Sequence, residues 1–212
     1  MNSVIFVDKI IDPKNESIIK NHFVVIEKDE IVKISPNESY NDAQYSSYEK
    51  IKTSNSTLLP GFIEMHSHIH VSSQENAYYD SINDSDETLI IRGTKAVGDA
   101  LFSGVTTMRD LGSKNNVIFP IKKAIDSHII PGPNLVPSGS PITTTGGHCN
   151  MFGMESDTIE EVVQSIKYLA NSGAQWIKII ATGGNFTPST NIHEPQYSQE
   201  TIEIAVDEAH KL

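Results

Sequence analysis

Cysteine is almost absent from this sequence, and the lone Cys149 excludes both an internal disulfide framework and a cysteine-rich zinc site while suiting a reducing compartment. Positive charge is scarce too. Lys and Arg number 16 against 27 Asp and Glu, for a net charge of -11 and a pI near 5.1. Such a chain is repelled by a nucleic-acid backbone and by an anionic membrane, so neither is expected as a partner. Long apolar runs are also missing. The opening MNSVIFVDKIIDPKN has an apolar run of only four residues, 4–7, with no basic leader, so it does not read as a signal peptide, and no stretch nears the length of a membrane span. A cytoplasmic location is the expectation that follows.

What is present divides near position 58. Residues 4–7, 22–26 and 30–34 are short β-rich runs separated by Asp, Asn, Pro and Ser clusters, and a polar stretch over 35–56 leads to LLPG at 58–61. Beyond that point strands alternate with amphipathic helices. Strands are expected at 62–67, 105–109, 134–138 and 176–181, and helices at 86–103, 117–128, from 159 onward and from 198 onward. In the third of these helices Ile159, Val162, Val163, Ile166, Leu169 and Ala170 share one face, with Asp157 and Glu160 as the expected cap and its partner. The alternation predicts an α/β fold with a parallel sheet. The sequence closes inside a helix without a Gly or Asn stop signal, and four units spaced about 38 residues apart fill only half of an eight-unit barrel, which needs roughly 300 residues. A truncated chain is the expectation.

Three groups of residues can carry chemistry. In PGFIEMHSH, His66 and His68 stand two apart at a strand end, so both rings project from one face and can approach one ion; two histidines on a polar face is the bland alternative. His70 continues the alternation past the strand and suits a loop or supporting role. Lys178 sits in the apolar run WIKIIATGG, where a cation facing inward is costly to desolvate. A lowered pKa would leave its amine nucleophilic toward carbon dioxide, giving a carbamate able to bridge two metals; the alternative is a lysine snorkelling outward. TTTGGH at 143–148 and ATGGN at 181–185 both follow strands and lack the lysine-bearing pattern of a phosphate loop. His148 is a candidate for substrate binding, polarising a carbonyl or holding a carboxylate, or else an ordinary loop histidine. Arg109 and Asp110 in VTTMRDLG suit a structural hydrogen-bonding role. Cys149 lacks an orienting partner for a nucleophile's role.

Taken together, PGFIEMHSH, VTTMRDLG, TTTGGHCN and GAQWIKIIATGG resemble the amidohydrolase superfamily in order and spacing, in particular the branch of imidazolonepropionase-like enzymes and metal-dependent prolidase-type dipeptidases. The resemblance implies a partial (β/α)8 TIM barrel, the first four βα units over residues 59–212, preceded by the N-terminal strands of a composite β-sandwich over 1–58. It implies that His66 and His68 bind the more buried of two divalent ions, most plausibly zinc, and that a carbamylated Lys178 bridges both in the full-length enzyme. Histidines of the fifth and sixth barrel strands and the proton-shuttling aspartate of the eighth would fall beyond Leu212, so no catalytic acid-base residue is assigned within this chain. His210 lies in a helix and does not replace them.

The implied reaction is hydrolysis of an amide or cyclic amide in a small molecule or peptide, as by a dipeptidase or an enzyme for acylated amino acids. A one-metal deaminase of the same superfamily fits less well, because it has no use for a bridging lysine. A non-catalytic remnant or assembly module is the reading from another class. Unpaired barrel edges would favour self-association or pairing with a C-terminal half. Purified residues 1–212 are expected to show little or no turnover, and zinc-dependent amide hydrolysis by them overturns that expectation.

Overall fold

In the computed structural model, which describes residues 2–212, the chain forms two compact units, one ending at Pro60 and the other spanning Gly61–Leu212. The first unit is a sheet. Its strands are β1 (Ser3–Asp12), β2 (Ser17–Glu27), β3 (Glu30–Pro36), β4 (Glu49–Lys52) and β5 (Thr57–Leu58). They lie in the order β3-β2-β1-β4, with β5 pairing farther along β1. β1 and β2 are antiparallel neighbours, while β4 and β5 run parallel to β1. The alternation of β1 turns Val4 and Phe6 toward one cluster and Ile5 and Val7 toward another.

The polar stretch over 35–56 is structured. β4 lies within it, and Tyr40, Tyr45 and Tyr48 pack with Phe6 and Phe23, the Tyr40 ring lying edge-on 4.8 Å from Phe6. Tyrosine reads as polar in a Ser- and Asn-rich stretch, yet its ring covers apolar surface while its hydroxyl reaches a polar partner, as Tyr48 reaches Glu27 Oε1 at 2.7 Å.

The second unit alternates strands and helices. It contains β6 (Phe62–Ser67), α1 (Ala77–Asn83), α2 (Asp86–Phe102), β7 (Val105–Asp110), α3 (Ile118–Asp126), β8 (Asn134–Pro137), β9 (Ile142–Thr143), β10 (Met154–Glu155), α4 (Ile159–Ser172) and α5 (Gln199–Lys211). β6, β7 and β8 form a parallel sheet in that order, so α2 and α3 are its crossovers. Leu89 and Val97 of α2, Ile118, Ile121 and Ile125 of α3, Met108 and Leu135 are buried; all but Leu89 belong to one cluster, which also takes in Ile69. Among the described residues no helix is long and apolar enough to cross a membrane.

Local chemistry sets the boundaries. Ser85 caps α2 by accepting the Thr88 amide, and Ser198 caps α5 by accepting that of Thr201. α4 begins at Ile159 as expected, but its cap falls one residue later than the sequence suggested. Its capping box is Thr158 with Glu161, because the Asp157 carboxylate is already engaged by the Thr145 amide and hydroxyl, both at 2.8 Å. α4 stops at Gly173, whose φ of 103° is left-handed.

The expected strand at 176–181 does not form as a strand: its pairing is a single isolated bridge between Ile142 and Ile179. Ile142 donates to the Lys178 carbonyl and Ile180 to the Ile142 carbonyl, each at 2.8 Å, and Gln175 donates to the Pro137 carbonyl at 2.9 Å. Pro137 faces this segment and has no amide hydrogen to offer it, which removes one bond from the pairing. The remaining bonds suffice to hold Lys178 beside the sheet.

Leu135 lies fully buried in β8, under α3. Leu135→Ala is expected to lower stability by about 2–5 kcal/mol, the range for an unfilled core cavity. The exposed Ile31→Ala should stay within about 0.5 kcal/mol. Urea unfolding of the two variants compares them directly.

Candidate metal centre

His66 is the fifth residue of β6, and His68 is the first residue past its end. Their ring centroids lie 5.3 Å apart. The backbone around them is held from several sides. Arg109 Nε donates to the Met65 carbonyl at 2.8 Å, Leu111 donates to the Ser67 carbonyl at 2.9 Å, and Ser67 Oγ donates to the Arg109 carbonyl at 3.1 Å. The Arg109 guanidinium in turn sits over the Trp176 ring at 4.6 Å, tying β6 and β7 to the segment that leads to Lys178.

His68 has a fixed tautomer. Its Nδ1 lies 3.0 Å from the Gly112 carbonyl, which can only accept, so Nδ1 carries the proton and Nε2 keeps its lone pair. Gly112 is required there. With φ near 155°, a Cβ would come within 3.2 Å of the His68 ring and 3.1 Å of Pro141.

Beneath these rings lies Asp110, fully buried at the end of β7. Its carboxylate accepts from the Ile69 amide at 2.8 Å and from the Gly112 amide at 3.2 Å. One side chain thus fixes both the turn that follows His68 and the residue whose carbonyl orients it. This agrees with the structural role the sequence suggested for Asp110. His70 is also fully buried, edge-on to Phe152 at 5.1 Å, with neither ring nitrogen hydrogen-bonded among the described residues.

Lys178 is half-buried. Burial and the neighbouring Arg109 cation hold it below the ordinary lysine range, with Cys149 acting in the opposite direction. Its charge reaches the other candidates. His66 is lowered by burial, then by Lys178 and Arg109; His68 by burial and by His66, Lys178 and His148; and His148 by burial and Lys178. All four sequence-selected residues therefore share one electrostatic neighbourhood. Each is biased toward its neutral form, the form that coordinates metal or takes up carbon dioxide. Among the described residues no group of three or more His, Cys, Asp and Glu is arranged to hold an ion. The donor set is two imidazoles and an amine. Cys149 is buried with its thiol pushed up to about 11, unsuited to nucleophilic attack.

His148 is placed by residues that the sequence reading did not single out. Its amide donates to Gln196 Oε1 at 2.6 Å, and its Nδ1 lies 3.1 Å from Thr187 Oγ1. Gln196 Nε2 also donates to Thr143 Oγ1, which itself donates to the His148 carbonyl. The ring rests on Gly184, where a Cβ would meet His148 Nε2 at 2.4 Å. Thr187 and Gln196 carry no spacing signal; the second glycine of TGG, Gly184, is the one position here whose residue type reflects the close approach of the His148 ring.

The amidohydrolase family profile matches residues 57–212, about three quarters of the chain. The chain belongs to the amidohydrolase family. Solved relatives include a Xaa-Pro dipeptidase with methionine bound in its active site, 27% identical with a TM-score of 0.87, and a prolidase complexed with N-methylphosphonate-L-proline, 25% identical with a TM-score of 0.84. Each match covers 100% of this chain and 54% of the other. Ochratoxinase from Aspergillus niger is 26% identical over 178 residues, covering 72% of this chain and 36% of that protein. The chain therefore spans about half the length of these solved structures and little over a third of that relative. The shared fold is mixed α/β.

Two buried groups make opposing demands on pH. Burial pushes Asp110 up to about 7 against the pull of its two amide bonds, whereas burial, with the charges of His68, Arg92 and Lys114, pushes His70 down to about 3. Against unfolded values of about 3.9 and 6.5, Asp110 contributes stability at low pH that is lost as pH rises from about 4 to 7. His70 contributes stability at neutral pH that is lost as pH falls from about 6.5 to 3. The slopes cancel between about pH 4 and 6.5. Asp110→Asn should unmask the His70 slope, gaining up to about 2.7 kcal/mol relative to wild type between pH 4.5 and 6.5. Urea unfolding at both pH values measures this; parallel curves for the two proteins would show that Asp110 is ionised in the native state.

Proposed function

We propose that this amidohydrolase family chain carries part of a dinuclear metal centre and that the whole protein hydrolyses amide bonds in small peptide-like molecules, as a dipeptidase or an acyl-amino-acid hydrolase. The observation that supports this most directly is the convergence of His66, His68 and Lys178 in one neighbourhood where all three are held toward their neutral forms. Zinc suits two imidazoles. When bound, divalent ions would polarise the scissile carbonyl and supply a strong nucleophile at neutral pH.

The chain's own residues prepare that site. Gly112 turns the bare Nε2 of His68 outward, and Asp110 holds both partners of that bond. Burial and Arg109 depress Lys178 so that its amine can add to carbon dioxide. The amine lone pair would bond to the carbon as one C=O π pair moves onto oxygen, and the nitrogen would release a proton to water, leaving an anionic carbamate whose oxygens could serve as metal ligands. His148, held by Thr187 and Gln196, faces the same region as a candidate substrate contact. The likeness to proteins described as a prolidase, a Xaa-Pro dipeptidase and ochratoxinase supports an amide substrate with a carboxylate nearby. A cytoplasmic location remains part of the proposal.

β6 is an edge strand whose Phe62, Ile63 and Met65 are all exposed, which supports self-association or cover by a complementary half as a further part of it. The pairing of domains as a composite β-sandwich and half of a barrel is likewise proposed.

Because turnover is proposed for the whole protein, metal binding is the readout for residues 1–212. Calorimetric zinc titration in bicarbonate should show binding that His66→Asn and His68→Asn each weaken by more than roughly tenfold. With ¹³C-bicarbonate, a carbamate resonance should appear with zinc and vanish in Lys178→Ala. Unchanged zinc affinity in both histidine variants would sink the metal-centre reading and favour an assembly module.

A further inference from the structure

Thr187 lies 2% exposed in the loop that follows Lys178, and its hydroxyl has two neighbours. The Cys149 amide donates to Oγ1 at 2.9 Å, and His148 Nδ1 lies 3.1 Å away. The Cys149 bond uses one lone pair and leaves the hydroxyl hydrogen to be placed. Among the described residues, His148 Nδ1 is its one acceptor. If Nδ1 carried a proton instead, Oγ1 would face two N–H donors and its own hydrogen would be buried without a partner, the arrangement that native interiors avoid. Each atom is satisfied when Thr187 donates to a bare Nδ1, and the neutral ring then carries its proton on Nε2.

We propose that Thr187 is a positioning residue that locks His148 as the Nε2–H tautomer, so that His148 offers the ligand a hydrogen-bond donor and serves neither as a metal ligand nor as a general base. The proposal rests on the reading that His148 faces the candidate site. Two histidines there are thus set in opposite senses by one simple difference in partner. His68 faces the Gly112 carbonyl, which only accepts, and turns out a bare Nε2; His148 faces a hydroxyl that must donate, and turns out an N–H. Gly184 reinforces this by lying against the His148 ring, where no side chain can displace it. The ligand group met by His148 is accordingly an oxygen acceptor, a carbonyl or carboxylate, and not an ammonium or a metal.

Imidazole ¹⁵N spectra of the metal-free chain at pH 8 test this, with the His148 signals identified by their loss in His148→Gln. Wild type should show His148 Nδ1 as the unprotonated nitrogen and Nε2 as the protonated one. Thr187→Ser should keep that pattern, and Thr187→Val should give a mixture of tautomers. A protonated Nδ1 in wild type, or a Thr187→Val spectrum identical to wild type, overturns the proposal. Should Thr187→Val fail to fold, the wild-type and Thr187→Ser spectra still decide.

Zinc titration separates this from the wider hydrolase reading. Zinc perturbing His66 and His68 while His148 keeps its Nε2 proton supports the tautomer assignment, whereas zinc displacing that proton overturns it. Absence of any zinc binding beside an intact tautomer pattern defeats the metal centre and leaves the role of Thr187 standing.

Discussion

A buried carboxylate, Asp110, couples the two strands on which the candidate site depends. It stands at the end of β7 and accepts the amides of Ile69 and Gly112, one from the turn after β6 and one from its own strand's exit. Those two bonds join the turn carrying His68 to the end of β7 beside the Leu111–Ser67 and Ser67–Arg109 bonds, and they fix the residue whose carbonyl meets His68. Buried backbone amides must be satisfied. Asp110 satisfies two of them at the point where the parallel ladder gives way to loops, which is why a titratable group is tolerated in so apolar a place. The same burial that makes its bonds effective also pushes its proton affinity up, so rigidity of the site and sensitivity to pH come from one residue.

The order of strands and helices after position 60 was legible because each element repeats a simple period. α2 shows Leu89, Gly93 and Val97 on one face, α4 shows Val162, Ile166 and Leu169, and both carry start signals in the residues before them. Less legible were elements whose existence depends on distant partners. β9 and β10 are two residues each and exist through their mutual pairing. β4 hides in a polar stretch because its pairing with β1, not its side chains, makes it a strand. The cap of α4 moved because Asp157 found a better partner in Thr145, and no local pattern records that competition.

At the site, His66, His68, Lys178 and His148 stood out because their residue types are unusual in their local surroundings, a cation among isoleucines or imidazoles at a strand end. Their supports did not. Thr187 and Gln196 come from a loop 39 and 48 residues beyond His148, and nothing in a threonine or glutamine announces which histidine it will hold. Function at this face is therefore written in two ways. Strand ends supply reactive groups at spacings a reader can see, and the loops supply orientation through contacts that exist only once the sheet has formed.

The electrostatics of the site give the proposed chemistry an internal logic. The protein as a whole is strongly acidic, yet the groups that perturb His66 most after burial are the cations Lys178 and Arg109. A divalent ion entering such a site meets an ammonium that repels it. Depressing Lys178 weakens that opposition, and conversion of its amine to a carbamate would reverse the sign of the charge, turning the main obstacle to metal binding into a ligand. Carbon dioxide uptake and metal binding would then be mutually reinforcing, since each favours the state the other requires. Arg109 does not have that freedom, because a guanidinium cannot release its proton. Its role is accordingly mechanical, spanning from the Met65 carbonyl to the Trp176 ring and keeping the strand of the histidines beside the segment that carries the lysine.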